Sequence, residues 1–219
     1  MSAVACAFSG INGEMIALKD VSISAVLRDL LSDVTVHQTY RNDEQTNIEA
    51  VYTFPLPVDA VLLDFDIHIG NRQLKGTIVE KRAAERKYED AIESGDAAVM
   101  LEQLEPGVYT MNVGNLLSLE SITNSFRYAM LYRWSGDSHR FMLPTTIVER
   151  YGVSPHLPHQ APVTSLFAEN RFSIQIDVFG VLQNVQFNSP SHSLELVHAT
   201  DKTTLSLTQK RTARIGTSS

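Results

Sequence analysis

Cysteine is nearly absent. Cys6 is the only one among 219 residues, so no disulfide can form within the chain and its fold must rest on packing. A reducing compartment fits that composition, and the cytoplasm is the favoured location for the chain as it stands. No uninterrupted apolar run approaches the ~20 residues a spanning helix needs, so the chain reads as soluble, with no membrane insertion. The start, MSAVACAFSG, lacks both the basic stretch and the apolar stretch of a leader, and reads as an ordinary, frayed N-terminus. Basic residues are also in deficit: 18 Lys and Arg stand against 25 Asp and Glu, a net charge of -7. With no positive field to gather phosphates, nucleic acid is excluded as a partner. No repeat of 20–50 residues is present, which excludes solenoids and propellers.

The motifs of common chemistry are missing too. There is no G-x-S-x-G elbow, no H-E-x-x-H and no pair of C-x-x-C segments, so acyl transfer and a structural zinc have no support. His156 and His159 flank a proline that opposes a helical two-ligand face, and they read as a solvated loop. Asp64, Asp66 and His68 share one face of one strand. A hard cation takes oxygens from more than one element, so they read as an outward polar face. Lys81, Arg82, Arg86 and Lys87 alternate with Glu80, Glu85, Glu89 and Asp90, which makes a nearly neutral solvated face and not an anion site. Ser191 and His192 are neighbours on an extended segment and point to opposite sides, so the Ser-Pro-Ser-His stretch at 189–192 reads as a turn. Trp134 and its aromatic neighbours alternate as core does. No catalytic residue, cofactor-binding residue or metal ligand is assigned.

What the chain does have is alternation, the mark of strands with one face buried. Val21, Ile23, Ala25 and Leu27 alternate with Ser22, Ser24 and Val26; Val34, Val36 and Tyr40 alternate with Thr35, His37 and Thr39. Arg41, Asn42, Asp43 and Glu44 supply turn chemistry before Ile48, Ala50, Tyr52 and Phe54, and Pro55 and Pro57 end that run. Val61, Leu63, Phe65, Ile67 and Ile69 are expected inward, and Gly70 and Asn71 turn the chain into a strand at 74–79. The period then changes. Ala84, Tyr88, Ala91 and Ile92 lie on one stripe of a helix at about 80–94, stopped by Gly95. Strands resume through Tyr109, Met111 and Val113, through Ile122 to Trp134, and through Phe172 to Val178, with shorter candidates at 185–187, 194–197 and 203–207. The expected fold is mostly β, a sandwich of antiparallel strands with one short helix. Residues 1–152 form its core, 153–209 add strands that complete or extend it, and 210–219 form a flexible tail.

One stretch is more specific. VMLEQLEPGVYTMNVGN, from Val99 to Asn115, is set among VTVHQTYRN at 34–42, EAVYTFPLP at 49–57, KRAAERKYEDAIESG at 81–95, FRYAMLYRW at 126–134, FMLPTTIVERYG at 141–152 and SPSH at 189–192. In that order the chain resembles the VIT domain, the vault protein and inter-alpha-trypsin heavy-chain module, over nearly its whole length. The resemblance implies a module that precedes a von Willebrand type A domain, whose D-x-S-x-S metal site captures ligands, so an adhesion-type metal site is placed outside this chain. Protease inhibition in the inter-alpha-trypsin complex belongs to a separate Kunitz chain, and no inhibitory residue is carried over. Two positions depart from the pattern. Ser118 stands where a turn-former is common, and Asn124 interrupts an apolar face and would need partners if buried. The leading expectation is a non-catalytic interaction or scaffolding module, not an enzyme, packed against a type A domain in the same polypeptide. The alternative is a metal-dependent, glycan-binding or small-ligand-binding β-sandwich. Oligomeric state is left open.

If the helical stripe is right, Tyr88→Ala should lower the thermal midpoint markedly, since truncating a buried aromatic costs about 3–5 kcal/mol. Lys87→Ala should hardly change it. Equal effects in parallel melts would show the stripe to be misplaced.

Overall fold

The computed structural model describes residues 3–5, 8–11, 15–75, 81–96, 98–132, 136, 138–143, 146–148, 171–189 and 193–210. In chain order these form β1 (Ala3–Ala5), β2 (Phe8–Gly10), β3 (Met15–Arg28), β4 (Leu31–Arg41), β5 (Ile48–Pro55), β6 (Val61–Ile69) and β7 (Arg72–Lys75). The helix α1 (Lys81–Glu93) follows. Then come β8 (Ala98–Glu105), β9 (Val108–Leu116), β10 (Ser121–Leu131), β11 (Thr146–Val148), β12 (Arg171–Phe179), β13 (Glu195–His198) and β14 (Thr203–Lys210). The chain is a mostly-β sandwich of largely antiparallel sheets with one helix among the described residues. No described helix is long and apolar enough to cross a membrane.

The larger sheet runs β7-β6-β10-β4-β3-β12-β14-β13, and the smaller runs β2-β5-β9-β8. Strand β3 belongs to both. Met15 and Ile16 pair with β2, whereas Ala17 to Arg28 pair with β4, with an irregularity in register between Leu18 and Asp20. A bulge bends the strand that carries it, which lets one continuous strand turn the corner between two sheets. On its other side β3 pairs with β12, a parallel pairing amid antiparallel ones. A separate ribbon of β1 and β11 packs with β5.

Alternation is what fills the space between the sheets. Val21, Ile23 and Ala25 from β3, Val34, Val36 and Tyr40 from β4, and Ile122, Phe126 and Tyr128 from β10 are buried. They meet Tyr52, Phe54, Met111 and Val113 of the smaller sheet. Aromatic rings cross the gap: Tyr40 and Tyr52 lie 5.4 Å apart, and Phe54 and Phe126 lie 4.7 Å apart. Such pairs add stabilisation beyond their buried area. Asn124 is fully buried within this layer. Its Nδ2 donates to Gln38 Oε1 at 3.2 Å, and the Tyr52 hydroxyl donates to the same oxygen. The two hydrogen bonds to Gln38 Oε1 offset part of the cost of burying these groups, while Asn124 Oδ1 is buried with no partner among the described residues. Strand β10 stays in register with β4 throughout, so the interruption costs no pairing.

Three expectations change. Val61 and Leu63 are exposed, not inward, because the register of β6 against β10 shifts between Arg127 and Tyr128, pairing Arg127 with Asp64 but Tyr128 with Leu62. That bulge turns Leu62 toward the core and leaves Val61 and Leu63 on the other face. Strand β5 is buried on both faces, with Val51 and Thr53 joining the core-facing residues, since β11 and α1 cover the smaller sheet from outside. Residues 185–187 form no strand: after β12 the chain enters a 3-10 turn at Gly180–Leu182, tied to the β3–β4 turn by the Val181 N–H donating to Asp29 Oδ1 at 3.0 Å. The strand expected at 74–79 is observed as Arg72–Lys75, and 76–80 lie outside the described residues.

The helix explains the most recognisable letters in the sequence. It ends in a glycine cap, with the Gly95 N–H donating to the Ile92 carbonyl and the Asp96 N–H to the Ala91 carbonyl, Gly95 having a φ of 77°. Asn115 Nδ2 donates to the carbonyls of Ile92 and Asp96, at 3.3 and 3.0 Å, and so ties the end of β9 to the end of α1. Beside it, a Cβ on Gly114 would lie 1.7 Å from Ile92 Cδ1 and 3.2 Å from the Tyr88 hydroxyl. Only glycine lets the helix seat this closely. Burial pushes the Tyr88 phenol up to about 12, with the Glu49 charge adding to it.

Gly114→Ala should therefore destabilise the fold by about 1–3 kcal/mol, the usual range for overpacking. Ile92→Val removes the overlapping methyl at a cost of about 0.5–1.5 kcal/mol alone. In a double-mutant cycle by denaturant unfolding the pair should cost less than the sum of the singles. Strict additivity would show that Ile92 is not what Gly114 accommodates.

Candidate functional site

The register that buries one face of the larger sheet displays the other. Rows of paired residues cross it. Ser22 of β3 pairs with His37 of β4, His37 with Ser125 of β10, Ser125 with Asp66 of β6, and Asp66 with Lys75 of β7. The next row runs Asp20, Thr39, Thr123, His68 and Gln73. The Thr39 and Thr123 hydroxyls meet at 3.0 Å. Short hydroxyl side chains on adjacent strands make this middle portion polar.

Asp64, Asp66 and His68 lie on this face, as alternation requires. Asp64 Oδ1 accepts the Phe65 N–H at 2.9 Å, and its charge helps hold Arg127 protonated. His68 is exposed beside Thr123. Among the described residues no group of three His, Cys, Asp or Glu is placed to hold a metal ion. D-x-S-x-S spacing does occur in this chain, at Asp20, Ser22 and Ser24, contrary to the expectation that the motif lies outside it. It falls mid-strand in β3, where every second residue is roughly 6.6 Å further along, so the three oxygens cannot converge on one ion. On α1, Arg82, Glu85, Arg86 and Glu89 line an open hollow of about 520 Å³, with charges of both signs. Cys6, Trp134, His156, His159, Ser191 and His192 lie outside the described residues.

One end of the sandwich is tied by polar groups that the sequence does not mark. Asn42 is buried, and its Nδ2 donates to the carbonyls of Thr46, Leu116 and Leu117 while its Oδ1 accepts the Glu44 N–H at 3.0 Å. Ser118 acts as a turn-former after all: its Oγ donates to the Glu44 carbonyl at 2.7 Å, and Leu119 beside it takes a φ of 60°. Arg72 donates to both Glu120 oxygens, at 3.1 and 3.3 Å. These contacts join the β4–β5, β6–β7 and β9–β10 connections.

The opposite end of the outer face is apolar. Leu131 is 70% exposed, Val61 62%, Leu63 50%, Leu31 46% and Val26 40%. Leu131 pairs with Leu31, and Val61 with Ala129, which pairs in turn with Asp33, and Asp33 with Val26. These side chains surround an ion pair in which Arg127 Nε donates to Asp33 Oδ1 at 2.8 Å and a second guanidinium nitrogen donates to Oδ2. Sequence alone finds neither feature, because the outward turn of Val61 and Leu63 depends on the bulge opposite β10.

Comparison with known proteins places this geometry. Residues 18–128 match the vault protein inter-alpha-trypsin domain, VIT, over half of the chain. The chain belongs to the VIT family. The matched VIT span runs from β3 through β10 and includes α1, Gly114, Asn115 and both partners of the Asp33–Arg127 pair. The human protein mono-ADP-ribosyltransferase PARP4 is 32% identical over 136 residues, 62% of this chain and 8% of that protein. Rat von Willebrand factor A domain-containing protein 5A is 29% identical over 146 residues, 65% of this chain and 18% of that protein. The chain thus spans under a fifth of the length of either relative. A crystal structure of a Legionella pneumophila protein superposes with a TM-score of 0.50 at 11% identity, covering 98% of this chain and 70% of the other. That likeness shows the fold alone.

In this VIT domain the Arg127 hydrogen bond holds the Asp33 carboxyl below its ordinary value of 3.8, against a smaller upward push from burial. Burial pushes Asp177 up, but hydrogen bonds from Lys202 and Thr204 outweigh it and the net shift is down. A carboxylate lowered in the folded state stabilises above its unfolded pKa, about 3.9, and loses that contribution as pH falls through the lower folded value. Asp33→Asn should accordingly lower the thermal midpoint at pH 7, with the gap to wild type closing below about pH 4. A gap that persists unchanged at pH 2 would show that the ion pair is not its source.

Proposed function

We propose that this VIT domain is a non-catalytic interaction module that packs against a von Willebrand type A domain in a longer polypeptide. The observation that carries the reading is the family match over residues 18–128, together with relatives named for their A domains in which the matched part is a minor fraction of the whole. The transferase named in the human relative supports no such activity here, because the match covers 8% of that protein. The architecture is compatible with a binding role. The larger sheet presents exposed side chains on its outer face, while the smaller sheet is already covered from outside by α1 and β11.

The reading predicts that a type A domain encoded in the same reading frame raises the thermal midpoint of this chain in a concentration-dependent way. A ligand that binds only the folded form stabilises by RT ln(1 + [L]/Kd). Chelators should leave the midpoint of the isolated chain unchanged. Stoichiometric zinc or calcium in the purified protein, with a midpoint that falls on chelation, would replace the proposal with the metal-dependent alternative.

A further inference from the structure

We infer that the type A domain docks on the apolar end of the larger sheet's outer face, over Val26, Leu31, Val61, Leu63 and Leu131, with the Asp33–Arg127 pair at its centre. The inference rests on the proposal that such a domain is present in the same polypeptide. The patch is made by a specific device. The bulge in β6 opposite Arg127 and Tyr128 reverses the expected orientation of Val61 and Leu63 and sets Val61 opposite Ala129, two residues before Leu131. Bulges of this kind re-aim side chains where a fold uses them. Elsewhere on the same face the outward positions of β3, β4 and β10 carry Ser, Thr, His and charged groups, so along these strands the apolar cluster is a local departure from a polar surface.

Two features select the occupant. The central charges already satisfy each other through two parallel hydrogen bonds, and the exposed Arg28 beside Leu31 lies 5.0 Å over the Phe179 ring, so a partner need bring no countercharge to the centre of the patch. The cluster is also small. Its five apolar side chains alone expose less than the ~800 Å² that each side contributes to a standard stable interface. A weak surface of this kind suits a tethered neighbour, whose effective concentration reaches the order of millimolar. It suits a freely diffusing partner, or a second copy of this chain, far less.

The test titrates the type A domain encoded in the same reading frame into the 219-residue chain by calorimetry, using wild type, Leu131→Asp, Val61→Asp and His68→Asp. Because Leu131 and Val61 are more than half exposed, both variants should fold with thermal midpoints close to wild type. Each should lose at least tenfold in affinity, while His68→Asp, in the polar portion of the same face, should change it less than twofold. If the wild type binds and Leu131→Asp and Val61→Asp bind equally well, the surface is overturned and the proposed function stands. If wild type shows no binding even when the type A domain is brought to the millimolar concentration that a tether supplies, the proposed function falls and the surface with it. A wild-type dimer in sedimentation velocity that Leu131→Asp dissolves would overturn the tethered occupant in favour of a second copy.

Discussion

Strand β3 is the constraint on which the rest of this sandwich depends. Its first residues pair in the smaller sheet and the remainder in the larger, so both sheets share one backbone and cannot slide past each other. The bulge near Lys19 lets that shared strand bend without giving up either ladder. Once the sheets are fixed at this corner, the aromatic contacts between Tyr40, Tyr52, Phe54 and Phe126 follow from alternation. The buried Asn124–Gln38–Tyr52 group then acts as a register lock. A slip of one residue would turn these polar groups out and leave the apolar neighbours of Asn124 facing water.

Much of this was legible from letters alone. Period-two runs mark β3, β4, β5 and β10, and the helix expected at about 80–94 is observed as Lys81–Glu93 with Gly95 as its stop. The failures share a cause, which is dependence on a partner distant in sequence. Val61 and Leu63 face outward because of spacing in β10, not in β6. Asn42 is read locally as turn chemistry, whereas its partners Leu116 and Leu117 lie 74 and 75 residues away. The val-gly-asn letters at 113–115 carried the family resemblance without revealing why. The glycine is a clearance for Ile92, and the asparagine is a clamp on the helix end. For the same reason the apolar patch was invisible: it gathers residues from four strands whose registers no single stretch encodes.

The smaller sheet is covered on its outside, and its β5 is buried on both faces. Among the described residues the outer face of the larger sheet carries exposed side chains, polar in the middle and largely apolar at one end. Substitutions at the exposed positions of the larger sheet should therefore cost the fold less than substitutions in β5.

The parallel pairing of β12 with β3 also orders events during synthesis. Arg171 pairs with Asp20, about 150 positions apart, so this junction is among the most non-local in the molecule. While a ribosome makes the chain, the strands from β3 to β10 emerge first, and the edge of β3 that later receives β12 is left with unpaired amides and carbonyls. Nascent chains on the same message would expose that edge together, and an extended segment from a neighbour could occupy it before residues 171–179 arrive. The window for mispairing is set by translation speed across the intervening residues, which links folding yield to the pace of decoding.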